Sequence, residues 1–129
     1  NLQENNMDMN EITGHVVDAA IRVHTALGPG LLESAYQGCL YYELAKRQLR
    51  VLKEVGLPVT YDGTKMDLGY RLDLLVEGMV VVEIKSVDAI HPIHTAQVLP
   101  YLKLSDKPVG LLLNFNVVRM KDGIYRYVN

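Results

Sequence analysis

A disulfide pair, tryptophan and an excess of basic charge are all missing from this sequence of 129 residues. The single cysteine, Cys39, cannot form an internal disulfide, so nothing points to an oxidising compartment. Its aromatic residues are eight tyrosines and one phenylalanine, and no aromatic platform accompanies the basic clusters. A single-strand binder built on stacking is therefore not indicated. Thirteen Lys and Arg against fifteen Asp and Glu give a formal net charge of −2, which excludes a strongly basic nucleic-acid coat but not a local basic patch. No apolar run approaches the ~18 residues of a membrane span. The N-terminal NLQENNMDMN is polar and lacks a signal-peptide core, and Met7 or Met9 is expected as the natural start. These absences predict a soluble, cytoplasmic protein with no membrane partner.

What is present is globular in composition, 49% hydrophobic and 22% charged. The length suits one domain, expected over residues 12–129 after a flexible segment 1–11. A chain this long buries roughly two thirds of its unfolded surface and needs no disulfide or structural metal to fold.

Ile12, Val16, Ala20, Val23 and Leu27 recur at helical spacing and predict a first helix, stopped at Gly28-Pro29-Gly30. A second helix is predicted from about Leu31 to Leu49, with Leu32, Tyr36, Leu40 and Leu44 inward. From Val51 the period changes to two. VLKEVGLPVTYDG reads as a first strand, interrupted near Gly56 and Pro58 and turned at Asp62-Gly63. Tyr70 to Val76 reads as a second strand, and Val80 to Val87 as a third. A helix from about His94 to Leu104 follows Pro92, and a loop runs from Asp106 to Pro108. GLLLNFN reads as a buried strand, and Ile124 to Val128 as the last. The expected fold is α/β, a mixed central sheet flanked by helices in the order α-α-β-β-β-α-β-β.

The stretch YRLDLLVEGMVVVEIKSV sets charges inside apolar strands, where burial is costly unless they are paired or bound to metal. Glu83 and Lys85 are two apart and share a strand face, while Ile84 points the other way with Val80 and Val82. Whether Asp73 joins them depends on the hairpin register. A two-residue loop at Glu77-Gly78 turns Glu83 to the far face. A three-residue loop, Glu77 to Met79, sets Asp73 beside Glu83, and this second register is expected. Two carboxylates with the Ile84 carbonyl would make a hard oxygen site for Mg2+, with Mn2+ as the alternative. Such an ion polarises phosphate oxygens and acidifies water, and Lys85 would orient that water. The plainer alternative is a surface ion pair of Lys85 with Glu83 or Asp73.

Asp73, nine residues, then Glu83-Ile84-Lys85, in this order of elements, resembles the PD-(D/E)XK nuclease superfamily, whose core is restriction-endonuclease-like. Gly30, Glu33 and Tyr36 in GPGLLESAY have the spacing of the GxxExxY family within it. VHTALGPGLLESAY, HTAQVLPYL and LLLNFN are similar to that family as well, so the likeness runs from about Ile12 to Val128. The resemblance implies Asp73 and Glu83 as metal ligands, Glu33 as an additional acid, and Lys85 as the catalytic lysine. It also implies that Gln97 and Tyr101, matching a QxxxY helix, support substrate or lysine. Leu72 stands where a proline commonly precedes the aspartate. The implied activity is hydrolysis of nucleic-acid phosphodiester bonds by a metal-dependent nuclease. DNA is placed ahead of RNA as partner, although the ligand set itself does not choose. With one site per chain, cutting both strands would favour a homodimer or a larger assembly. The alternatives are a catalytically silent binding or regulatory module of the same fold, and a hydrolase of small phosphate esters with a closed pocket.

Other residues carry weaker expectations. Tyr36 is read evenly as a carboxylate holder or a core residue, Gly30 as a backbone device, and His24 as a satisfied packing histidine. His91 and His94 flank Pro92 at a helix start and lack the spacing of a zinc site. Lys46, Arg47, Arg50 and Lys53, and separately Arg119, Lys121 and Arg126, are read as ordinary surface charge ahead of phosphate contacts.

Overall fold

The computed structural model describes residues 7–129. Asp8 starts the first helix, α1 (Met9–Leu27), through a reciprocal cap: Glu11 N donates to Asp8 Oδ1 at 2.9 Å, and Asp8 N donates to Glu11 Oε1 at 3.1 Å. The helix thus begins three residues before Ile12. Residues 1–6 of the expected flexible segment lie outside the described residues. Ile12, Val16, Ala20 and Val23 are buried as their spacing predicts, but Leu27 at the last turn is 39% exposed.

Gly28 and Gly30 both take positive φ, +71° and +98°, and carry the chain into α2 (Glu33–Lys46). Tyr36, Leu40 and Leu44 are buried on one face of it. Leu32, expected inward, is 78% exposed. It occupies the cap position with extended backbone, so it lies outside the helical spiral that carries the other three inward.

Seven strands follow: β1 (Val51–Gly56), β2 (Val59–Tyr61), β3 (Thr64–Met66), β4 (Arg71–Val76), β5 (Val80–Lys85), β6 (Val109–Asn114) and β7 (Ile124–Val128). The third helix, α3 (Pro92–Ser105), lies between β5 and β6. The large sheet has the order β1-β4-β5-β6-β7, with β5 and β6 parallel and the other neighbours antiparallel. Counting only its strands, the chain order is the expected α-α-β-β-β-α-β-β. The addition is β2 and β3, a separate two-stranded ribbon turned at Asp62-Gly63, where a single interrupted strand was expected.

One apolar cluster lies between the sheet and α1 and α2, with Val80, Val82, Ile84, Leu111 and Leu113 facing the helices. The other lies under α3, where Val98 and Leu102 meet Leu75, Val81 and Leu112. Two strands contribute to both in an irregular way. In β4, Leu74 and Val76 belong to the first cluster and Leu72 to the second. In β1, Val51 packs on the first cluster and Val55 on the second. Residues an even number apart share a face of a regular strand, so both strands reverse their faces partway. The reversal is centred on Glu54 and Asp73, which the flanking pairs Lys53↔Leu74 and Val55↔Leu72 set opposite each other. Glu54 there has φ +54°, a conformation few non-glycine residues adopt. Among the described residues no helix is long and apolar enough to cross a membrane.

Candidate active site

The hairpin between β4 and β5 fixes the register. Glu77 and Gly78 take φ of +53° and +65°, and Met79 N donates to Val76 O at 3.0 Å. The Glu77 carboxylate is held beneath the turn, accepting from Arg50 N at 2.6 Å and from the Arg50 guanidinium at 3.2 Å. Val76 then pairs with Val80, Leu75 with Val81 and Leu74 with Val82. This is the three-residue loop, and it sets Asp73 opposite Glu83.

The regular pairing of the two strands stops at Leu74↔Val82, and side chains take over from the backbone ladder. Ile84 N, which the same register would direct toward Leu72, donates to Asp73 Oδ2 at 2.8 Å. Asp73 N donates to Glu83 Oε2 at 3.1 Å. The strand reversal at Asp73 and Glu54 therefore opens a gap in the sheet, and both carboxylates line it. Glu83 is 8% exposed and Asp73 half-buried.

Burial is the main reason that Glu83 holds its proton up to about 8, and the neighbouring Asp73 charge adds to it. The Asp73 amide and Lys85 pull the other way. Asp73 is also raised, first by burial, and then by Glu54 and Glu33 against the Ile84 amide and Lys85. The charges of Glu54 and Glu33 thus act on Asp73. Glu33 and Glu54 are themselves exposed. Glu54 was not anticipated from the sequence, because it reads as a solvent-facing strand residue; Gln37 Nε2 on α2 donates to its Oε2 at 2.6 Å.

Lys85 follows Glu83 by two residues on β5 and is half-buried. None of the ion pairs among the described residues involves it, so the surface ion pair weighed from the sequence is not formed. Tyr101 on α3 is half-buried, and its hydroxyl is raised by burial first and then by the charges of Glu83, Tyr70 and Asp73. Gln97 lies one helical turn earlier and is exposed, with no hydrogen bond among the described residues.

Among the described residues no three His, Cys, Asp or Glu side chains are gathered as a ready metal cage. Two carboxylates and a carbonyl are nevertheless the donor set that suits Mg2+, which keeps several waters and takes one or two carboxylates together with substrate phosphate. The mutual repulsion and burial that lift Glu83 to about 8 also give this pair reason to accept a cation in place of its proton.

The surroundings are held by buried polar contacts. Tyr36 is fully buried, stacked on Phe115 at 4.5 Å between ring centroids. Its hydroxyl donates to Gly28 O at 2.6 Å and accepts from Leu31 N at 3.1 Å, so it shapes the loop before Glu33 and does not face the carboxylates. His24 Nε2 meets Val117 O at 2.7 Å, the satisfied packing histidine expected. Asn114, which pairs with Lys85 across β6, accepts from Val87 N at 3.1 Å and donates to Val87 O at 3.0 Å, fixing the chain just beyond β5. Only its place in LLLNFN drew attention to it beforehand. His91 N donates to His94 Nδ1 at 3.0 Å, a helix-entry contact. The first basic cluster is largely engaged: Arg47 with Asp18 at 2.7 Å, Lys46 with Glu43 at 3.4 Å, Arg50 with Glu77, and Lys53 over the Tyr41 ring at 4.8 Å.

The sequence profile of the PD-(D/E)XK nuclease superfamily matches residues 10–127 of the chain. No curated protein and no solved structure matches it.

Proposed function

Because the chain belongs to the PD-(D/E)XK nuclease superfamily, we propose that the gap between β4 and β5 is the active site of a metal-dependent nuclease. The observation that carries this is Asp73 set opposite Glu83, each carboxylate taking a backbone N–H where the ladder stops. Asp73, Glu83 and the Ile84 carbonyl would hold Mg2+ or Mn2+, with Glu33 assisting. When bound, the ion supplies polarisation of a phosphate oxygen and a lowered pKa for water.

The chain's own residues do the rest. Lys85, which forms no ion pair among the described residues, would orient the attacking water and face charge that builds on the phosphate. The burial of Glu83 would keep bulk water from one side of the site. Tyr101 and, one helical turn earlier, the exposed Gln97 would support substrate or the lysine from the α3 side. Gly30, Glu33 and Tyr36 also support membership of the GxxExxY family, since Gly30 and Tyr36 build the loop that delivers Glu33. DNA is the first substrate to try. One site per chain would call for a homodimer only where both strands of a duplex are to be cut.

The test is incubation with single- and double-stranded DNA and RNA in Mg2+, Mn2+ or EDTA, beside Asp73→Ala and Lys85→Ala. Cleavage that needs the ion and falls at least a hundredfold in both variants is the expected result. Equal cleavage by wild type and variants, or none with either ion, would remove the proposal and leave a binding module.

A further inference from the structure

The sequence alone sets aside a stacking binder for want of an aromatic platform, but beside the carboxylates two tyrosines distant in sequence meet. The Tyr70 and Tyr101 ring centroids are 6.0 Å apart and inclined at 65°, an edge-to-face contact. Tyr101 packs on the cluster under α3, while Tyr70 is 46% exposed. Tyr70 stands three residues before Asp73, so at ~3.3 Å per strand residue their Cα atoms are about 10 Å apart. Its backbone is fixed, because Tyr70 O accepts from Leu57 N at 2.9 Å and from Arg71 Nη1 at 2.8 Å. The ring is braced by Tyr101 and remains partly open to solvent.

Charge is a poor source of substrate affinity here. The net charge is −2, Glu54 and Glu33 add their charge to that of the two carboxylates, and Lys46, Arg47 and Arg50 are tied to protein acids. A polyanion therefore needs neutral contacts close to the scissile bond. Stacking of one base on an aromatic ring is worth roughly tenfold to a hundredfold in affinity and tolerates any base.

We propose that Tyr70, braced by Tyr101, is a nucleobase platform on which the base next to the scissile phosphodiester stacks. A base on this ring has left its own helix, so the substrate class is a strand unpaired at that nucleotide: single-stranded DNA or RNA, a flap or a frayed end. This assignment rests on the nuclease reading and specifies the substrate of the same site.

Fluorescein-labelled single-stranded and duplex oligonucleotides, bound to the full chain and followed by anisotropy, test it. The variants are Tyr70→Phe, which keeps the ring, and Tyr70→Leu, which keeps apolar cover without a stacking plane. A series of single strands carries one abasic position each. Tyr70→Phe should bind as wild type and Tyr70→Leu about tenfold more weakly. One abasic position should weaken wild type by a similar factor and leave Tyr70→Leu unaffected. Duplex should bind wild type less tightly than single strand. A flat abasic series on a wild type that still cleaves would overturn the platform alone, as would wild-type affinity in Tyr70→Leu. Should Tyr70→Leu fail to fold, the abasic series on wild type decides by itself. A wild type that neither binds nor cuts any oligonucleotide overturns both readings.

Discussion

Ser86 Oγ donates a hydrogen bond to Leu31 O at 2.6 Å, joining the end of β5 to the loop that enters α2. The bond sits one residue past Lys85 and two before Glu33. It is therefore a direct tie between the strand that carries Glu83 and Lys85 and the helix end that carries Glu33.

Ser86→Ala is expected to lower stability by about 0.5–1.5 kcal/mol, the usual net worth of one hydrogen bond. Cleavage should fall severalfold more than that loss of folded protein explains, because Glu33 loses its tether. Urea denaturation together with Mg2+ dependence of the cleavage rate checks both. Unchanged Mg2+ dependence would show that the tether does not serve the metal.

Glu83 has a stability signature independent of activity. Its ordinary value is 4.5 and the folded protein raises it to about 8. Between these limits the unfolded chain has released the proton and the folded chain keeps it. The metal-free protein should therefore lose stability as pH rises from about 4.5 to about 8, and Asp73, also raised, adds with the same sign. Denaturation in EDTA at several pH values reads the slope, which Glu83→Gln should flatten. Added Mg2+ should stabilise the wild type more at pH 8 than at pH 6, where it competes with a bound proton. A pH-independent midpoint in EDTA would contradict this account of the pair.

Tyr36→Phe keeps the stack on Phe115 but leaves Gly28 O and Leu31 N without their partner. A loss of about 1–3 kcal/mol is expected, since partly buried polar groups are left unsatisfied. A change below about 0.5 kcal/mol in denaturant unfolding would mean that water replaces the hydroxyl without cost.

Much of this architecture was legible in the chain because burial has a period. The spacing of Ile12, Val16, Ala20 and Val23 defines one face of α1, and the period of two puts Val80, Val82 and Ile84 on the face of β5 turned to α1 and α2. The pairing of Asp73 with Glu83 was legible too, once a loop of three residues was preferred at the turn. Glu54 was not. Its role depends on a positive φ in mid-strand, and a glutamate carries no local signal for that conformation. The Tyr70 and Tyr101 contact likewise depends on how α3 crosses the sheet, which spacing within either segment cannot encode. Leu27 and Leu32 read as core because a helical period does not mark its own last turn or cap.

The ribbon of β2 and β3 has a consequence for engineering. Leu57 N on Tyr70 O continues the register of β1 with β4 and shuts the base of the excursion from 58 to 69. Beyond that clasp the ribbon pairs only with itself among the described strands. It is thus a graft point: a longer or different arm spliced between Leu57 and Tyr70 should leave Glu54 and Asp73 where they are. Reach and selectivity are adjustable there without rebuilding the chemistry.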